Sequence, residues 1–331
     1  MRSSGLAVLL VTGLVTAMAH VGSVPAAATE PSTTATAPPK EVITDFADPE
    51  VIQVGATVYA YSTSSSRGTV PVASAPSASG PWTIRGDALP TRPSWAAKEG
   101  GFWAPDVSRR ADGQYLMYFT APSAANERMC IGAALSTRPL GPFRPIDGGP
   151  LVCDPREGGD IDPASFVDTD GKRYLLYKND GNALNNGTPS IIWLQKADAD
   201  GITLVGPRKE LIRNDRDVEN GVIEAPVLIK RPTQYVLFYS GGPYCGNDYF
   251  TSYAVSSSLA EPFSKADRPL MTTETLDGAV RGPGGADVLG EHIFFHGWVG
   301  KCLEGGTRST YTADLGWAND RPVVRGSRAA S

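Results

Sequence analysis

A repeat of about 60 residues most restricts how this 331-residue chain can fold. Five segments each place an acidic residue beside Pro or Gly, followed by an apolar run, a turn and an aromatic-rich stretch. Successive acids are 58, 56, 62 and 63 residues apart: Asp48, Asp106, Asp162, Glu224 and Asp287. Such a period is typical of proteins built from several copies of one small unit.

The aromatic stretches keep the same phase as the acids. A tyrosine follows each of the first four acids by 9 to 12 residues: Tyr59, Tyr115, Tyr174 and Tyr235. Asp-Gly pairs at 112–113 and 170–171 are typical of hairpin turns. We interpret each unit as a blade of four antiparallel strands, which predicts an all-β, five-bladed β-propeller. A β-sandwich with accidental spacing is the alternative.

Composition agrees with a turn-rich fold and excludes some functions. The 36 Gly and 27 Pro residues are far above average usage. A dipeptide whose second residue is Pro ends a strand-like segment at 80–81, 141–142 and 261–262. A hydrophobic content of 41% is enough for a large core. The formal net charge of -5 argues against a nucleic-acid partner, which would normally require a basic patch.

The first 28 residues have the features of an export signal. Arg2 precedes an apolar run over 6–18, and small residues at 26–28 suit cleavage. The run is shorter than the roughly 20 residues that cross a bilayer, so we favour a secreted, extracellular protein over a membrane-anchored one. Residues 29–41 are interpreted as a flexible leader rich in Thr, Ala and Pro, and 42–331 as the propeller.

Cysteine and histidine usage narrows the chemistry further. Four cysteines in an exported chain indicate two disulfides, for which three pairings exist. We predict Cys130–Cys153 and Cys245–Cys302, because each pair would join neighbouring strand segments. Beyond the signal only His292 and His296 remain, which disfavours a Ser-His-Asp hydrolase or a multi-histidine zinc site.

The repeated acids are the candidate catalytic groups. The first strand of each propeller blade lines the central channel, so these carboxylates should converge there and repel one another unless protonated, paired or ligand-bound. Glycoside hydrolysis needs one carboxyl as acid and another as base or nucleophile. Glu224, flanked by apolar residues, is the predicted acid, Asp48 the base, and Asp162 a third carboxylate that tunes the acid. Any single Asp-Pro pair could instead simply start a turn.

These segments resemble glycoside hydrolase family 43 over essentially the whole mature chain. The resemblance rests on ADPEVI at 47–52, FWAPDV at 102–107, DIDPASFVDTDGKRYLLY at 160–177, IEAPVLIKR at 223–231 and GPGGADV at 282–288. It implies a five-bladed, inverting enzyme acting on arabinose- or xylose-containing polysaccharides. It also implies that Asp48 is the base, Asp162 the modulator and Glu224 the acid. An inverting enzyme should hold its two catalytic carboxyls roughly 6.5–9.5 Å apart.

Four other residues are candidate sugar contacts: Trp103, Phe102, Asn179 and Arg281. Aromatic rings can cover the apolar face of a sugar, although core packing explains Phe102 equally well. Asn179 could be part of a simple turn, and Arg281, which resembles a sugar-binding arginine of the family, could be a surface charge. No cofactor is required by this interpretation.

A central calcium, bound through carboxylates and water, is an open expectation. Many family members have a histidine where this chain has Gly285, and we interpret His296 as an interblade packing residue rather than a ligand.

The sequence thus predicts a secreted, monomeric, inverting glycosidase that cleaves α-L-arabinofuranosyl linkages in arabinan or arabinose-containing hemicellulose. Its partner would be a plant cell-wall polysaccharide or oligosaccharide, with neither nucleic acid nor membrane involved. A β-xylosidase or a bifunctional xylosidase/arabinofuranosidase is the first alternative. A non-catalytic carbohydrate-binding propeller is the second, although it would not need all three carboxylates.

Overall fold

The computed structural model of the protein describes Met1 and residues 38–327, and in these residues it is a five-bladed β-propeller of antiparallel four-stranded sheets. Blade I contains β2 (Glu50–Val54), β3 (Thr57–Tyr61), β4 (Pro71–Ala75) and β5 (Thr83–Asp87). Blade II contains β6 (Trp103–Arg109), β7 (Tyr115–Pro122), β8 (Met129–Ser136) and β9 (Arg144–Pro145). The predicted fold is therefore confirmed, whereas the predicted signal peptide and most of the leader lie outside the described residues.

The third and fourth blades follow the same order from the channel outward. Blade III contains β10 (Asp160–Val167), β11 (Arg173–Asn179), β12 (Ile191–Ala197) and β13 (Leu204–Arg213). Blade IV contains β14 (Ile223–Lys230), β15 (Tyr235–Gly241), β16 (Phe250–Ser256) and β17 (Ser264–Lys265). Short 3₁₀ turns cover Pro155–Glu157, Gly181–Leu184 and Asp217–Glu219. Among the described residues, no helix has the length and apolar character needed to cross a membrane.

The fifth blade is completed by the N-terminal strand. Its order is β18 (Gly284–Leu289), β19 (His292–Val299), β20 (Thr307–Ala318) and then β1 (Lys40–Ile43), while β21 (Arg321–Val324) pairs with the distal end of β20. Lys40 pairs with Thr312 and Glu41 with Tyr311. The strand therefore begins two residues inside the segment interpreted as leader, because its backbone groups complete the edge of the last blade.

The hydrophobic core is divided into five clusters, one at each interface between adjacent blades. The second strands are the most completely buried, as in YLMYFTAP of β7 and YVLFYSG of β15. Both faces of such a strand pack against neighbouring blades, which explains their nearly continuous apolar sequence. The predicted tyrosines at 59, 115, 174 and 235 all lie in these second strands. The three dipeptides ending in Pro, at 80–81, 141–142 and 261–262, lie between the third and fourth strands of blades I, II and IV.

A backbone irregularity sets which side chains reach the channel. One residue of each first strand, or just before it, has positive φ: Asp48 (50°), Ala104 (41°), Asp162 (52°), Ala225 (52°) and Gly285 (58°). In blades II to V the strand register shifts across this residue. These residues are the equivalent positions of the repeat. Asp106 and Asp287 lie two residues after this position, and Glu224 lies one residue before it. The alignment of the five acids was therefore right for Asp48 and Asp162 and wrong in register for the other three.

Both predicted disulfides are present. Cys130–Cys153 connects β8 to the segment before blade III, and Cys245–Cys302 connects the β15–β16 loop to the β19–β20 loop. The second bridge therefore ties blade IV to blade V on the side of the channel where the candidate site lies. The Asp-Gly hairpin turns at 112–113 and 170–171 also occupy the predicted places, between the first and second strands of blades II and III.

Candidate active site

Three carboxylates from three blades meet in one pocket at an end of the channel. The pocket has a volume of about 180 Å³ and is lined by Asp48, Asp162 and Glu224, together with Trp103, Ile161, Tyr244, Tyr249 and Arg308. Asp48 and Asp162 have the positive-φ conformation, which is uncommon outside Gly and costs energy unless the surroundings enforce it. The two aspartates are thus aimed at the pocket by the same backbone feature in blades I and III.

Asp48 is held in its charged form. Arg308 Nη1 and His296 Nδ1 each lie 3.0 Å from Asp48 Oδ1, and the Thr63 hydroxyl donates to Oδ2. Burial alone would raise the pKa of Asp48, but the charge of Arg308 and the contacts from His296 and Thr63 hold it well below its usual range. A carboxylate that stays ionised can accept a proton from water at any working pH.

Glu224 is held from both sides by hydrogen bonds. Lys178 Nζ lies 3.1 Å from Oε2, and the Tyr249 hydroxyl donates to Oε1 at 2.9 Å. Lys178 is fully buried and also contacts Asp180 at 3.0 Å. The ammonium group thus balances the negative charge of Glu224 and Asp180, two largely buried carboxylates. These contacts fix the direction in which the Glu224 carboxyl points.

Asp162 retains a proton at neutral pH. Burial, then the neighbouring charge of Glu224, raise the pKa of Asp162 to about 8 against the opposing effect of Lys178. Its carboxylate oxygen Oδ2 accepts a hydrogen bond from the Ala225 backbone N–H at 2.9 Å.

A second group of acids lies deeper in the channel. Glu50, Asp106 and Asp287 line its interior, each accepting a hydrogen bond from a backbone N–H. Burial raises the pKa of Asp106 to about 6 and that of Asp287 to about 7, and it raises the pKa of Glu50 well above normal. The five predicted acids therefore form two layers. Asp106 and Asp287 belong to the interior layer because each follows the positive-φ residue by two positions.

The four predicted sugar contacts lie in different surroundings, and only one of them lines the catalytic pocket. Trp103 is 38% exposed and lines the catalytic pocket. Phe102 is completely buried between Phe119 and Arg92, so its ring has no face for a sugar. Asn179 is 1% exposed, and its amide bonds Pro189 O and the Ile191 backbone N–H. The expected sugar contacts of Phe102 and Asn179 do not fit this burial.

Arg281, the fourth predicted contact, lines a neighbouring cavity rather than the pocket of the three carboxylates. Sequence reasoning missed Lys178, Tyr249, Thr63 and Arg308. Lys178 carried a signal, since it directly follows the buried run Leu175, Leu176 and Tyr177, where only a paired charge is tolerated. Arg308 carried none, because it lies 260 residues from Asp48.

His296 occupies the space beside Gly285. A Cβ added to Gly285 would lie 2.7 Å from His296 Nδ1 and 3.0 Å from Asp48 Oδ1, so a side chain there would displace this pair. His296 is fully buried and stacks on Tyr249 with ring centroids 5.6 Å apart. Residues 38–327 include no group of three His, Cys, Asp or Glu side chains arranged to hold a metal ion. Calcium can also be held by backbone carbonyls and water, so a central calcium stays a prediction, and we derive no step through it.

Comparison with known proteins agrees with this geometry. The sequence model of glycosyl hydrolases family 43 matches residues 40–322. The chain belongs to this family. The family consists of glycoside hydrolases that invert the anomeric centre.

Individual relatives have different named activities. A β-D-galactofuranosidase of Aspergillus niger is 28% identical over 59% of this chain and 56% of its own length. An extracellular endo-α-(1→5)-L-arabinanase of Bacillus subtilis is 28% identical over 58% of this chain and 40% of its own length. The chain thus spans about half the length of these relatives. The crystal structure of a thermostable family-43 glycoside hydrolase superposes with a TM-score of 0.77 at 27% identity, covering 90% of this chain and 98% of that one.

Proposed function

We propose that this family 43 enzyme cleaves α-L-arabinofuranosyl linkages in arabinan or arabinose-containing hemicellulose, and that it does so outside the cell. The observation that carries the catalytic part is the meeting of Asp48, Asp162 and Glu224 in one pocket with contrasting surroundings. The arabinan-active relative of Bacillus subtilis supports the choice of sugar. The N-terminal sequence and the two disulfides support secretion.

In the proposed mechanism the two sides of the pocket have opposite tasks. Asp48, kept ionised by Arg308, removes a proton from a water molecule that attacks the anomeric carbon. Glu224 gives its proton to the departing glycosidic oxygen, so the C–O bond breaks as the water oxygen bonds from the opposite face. Asp162, whose pKa is raised to about 8 by burial and by the charge of Glu224, is the third carboxylate that tunes the acid. Trp103 offers its exposed ring to the sugar.

The substrate is tested with a panel of linear arabinan, arabinoxylan and the 4-nitrophenyl α-L-arabinofuranoside, β-D-xylopyranoside and β-D-galactofuranoside. We expect the highest kcat/KM on the arabinofuranosyl substrates. A preference for the xyloside would establish the β-xylosidase alternative, and turnover of none of them, with sugar binding intact, would establish a carbohydrate-binding propeller.

The role of Glu224 is tested by Glu224→Gln with two leaving groups. General acid catalysis contributes about 10²–10⁴-fold, so hydrolysis of arabino-oligosaccharides should fall by that factor. A 2,4-dinitrophenyl arabinofuranoside, whose leaving group needs no proton, should lose far less. Glu261→Gln, an exposed glutamate of the same blade, is the matched control. Equal losses on both substrates would show that Glu224 is not the acid.

A further inference from the structure

A wall formed by two loops and by Trp298 of β19 stands beside the catalytic pocket, and apart from Tyr249, which holds Glu224, its residues have no part in the mechanism above. One loop, residues 242–249, joins β15 to β16, and the other, residues 300–306, joins β19 to β20. Cys245–Cys302 links them covalently. The link holds side chains of blade IV and blade V in one surface although the loops belong to different sheets.

Two aromatic rings run along this wall from the pocket outward. Tyr244 is 47% exposed and lines the catalytic pocket, whereas Trp298 lines the next cavity. Trp298 Nε1 donates to the Tyr244 carbonyl oxygen at 2.7 Å, and the ring centroids are 6.3 Å apart. The Arg308 guanidinium lies 5.4 Å from the Tyr244 centroid and 5.9 Å from that of Trp298, and it also contacts Asp48. Arg308 therefore links both rings to Asp48, the proposed catalytic base.

The next cavity combines an indole with polar groups. Its volume is about 330 Å³, and Arg281, Trp298 and the Cys245–Cys302 bridge line it together with Asn247 and Lys301. Arg281 is half-buried, and within residues 38–327 it takes part in no salt bridge. A flat ring beside guanidinium and amide donors suits a sugar, which offers one apolar face and a rim of hydroxyls.

We propose that this cavity is a distal subsite that binds one sugar unit of the substrate chain, beyond the units held at Asp48 and Glu224. Trp298 provides the stacking face, Arg281 donates hydrogen bonds to the hydroxyls, and the disulfide fixes the distance between them and the pocket. The inference rests on the proposed function, since the same chain must reach the carboxylates. It makes the enzyme selective for oligosaccharides long enough to cross Tyr244.

The test measures KM and kcat along a series of arabino-oligosaccharides of two to six units and on 4-nitrophenyl α-L-arabinofuranoside. For Trp298→Ala we expect KM on the longest substrates to rise about three- to tenfold, the loss of one stacked sugar, with kcat retained. Arg281→Met should act in the same direction while leaving the Trp298–Tyr244 contact in place. The aryl glycoside is too short to reach the cavity, so in both variants its KM should rise far less than that of the longest substrates.

Trp317→Ala is the matched control, since Trp317 lies in β20 nine residues after Arg308, about 30 Å along the strand. An unchanged KM for long substrates, or an equal rise for long and short ones, in both variants would overturn the subsite while leaving the proposed function standing. Failure of the wild type to hydrolyse any arabinofuranosyl substrate would instead refute the proposed function. The two failures are therefore distinguishable.

Discussion

Replacing the buried lysine beside the acid tests the electrostatics of the site most sharply. Lys178→Met keeps the length of the side chain but removes a charge that lies 3.1 Å from Glu224 and 3.0 Å from Asp180. The charge of Lys178 lowers the pKa of Asp162, whereas burial and the charge of Glu224 raise it. Without the cation, Asp162 should keep its proton to higher pH.

The expected magnitude follows from the contact distance. An opposite charge within about 4–6 Å shifts a carboxyl pKa by about 1–3. The alkaline limb of the kcat/KM profile, which reports loss of the catalytic proton, should therefore move upward by about 1–3 pH units. Removing one partner of a buried ion pair costs about 3 kcal/mol or more, which corresponds to a Tm lower by roughly 6–12 °C.

The assay is a pH–rate profile at low substrate concentration, accompanied by thermal unfolding of each variant. Lys172→Met is the matched control, because Lys172 is exposed and pairs with the exposed Asp170 at the start of the same hairpin. Lys178→Met combined with Asp180→Asn should recover part of the stability without restoring the alkaline limb. An unchanged limb in a folded Lys178→Met variant would refute the electrostatic coupling.

Two further predictions concern the base and the channel interior. Arg308→Met removes the positive charge that lowers the pKa of Asp48 against the effect of burial, so this pKa should rise. The acid limb of the kcat/KM profile should then move up by about 1–3 pH units, and an unchanged limb would contradict this. Burial raises the pKa of Asp287 to about 7, above its unfolded value, so its stabilising contribution is complete below about pH 4 and is lost as the pH rises through 7. Asp287→Asn keeps an acceptor for the Val51 N–H and should make the fall in Tm from pH 4 to pH 8 roughly 8–16 °C smaller, whereas an identical fall would exclude the titration of Asp287.

The blade pattern could be predicted because each unit repeats local chemistry. Proline beside an acid, an Asp-Gly turn and a tyrosine-rich second strand recur in phase, and they located Asp48, Asp162 and Glu224 correctly in one pocket. Acid spacing alone could not separate the two layers of carboxylates. That separation depends on a positive φ and a register shift, which move the following side chain to a different depth.

Other parts of the site depend on contacts that no local pattern contains. Arg308 meets Asp48 from 260 residues away, and β1 completes the blade formed by the C-terminal segments. Ring closure brings these groups together, so they become visible only once the whole propeller is built. The prediction for Phe102 failed for the same reason. Its position next to a site motif suggested a sugar contact, but the interface between blades I and II buries its ring.

The stereochemistry of the first product tests the central claim most directly. Proton NMR during the first minutes of hydrolysis of an α-L-arabinofuranosyl oligosaccharide distinguishes the two anomers before they equilibrate. Direct attack by water activated at Asp48, with Glu224 protonating the leaving oxygen, predicts that the β-anomer forms first. Initial release of the α-anomer would require a covalent intermediate and would contradict the assignment of Asp48 as base.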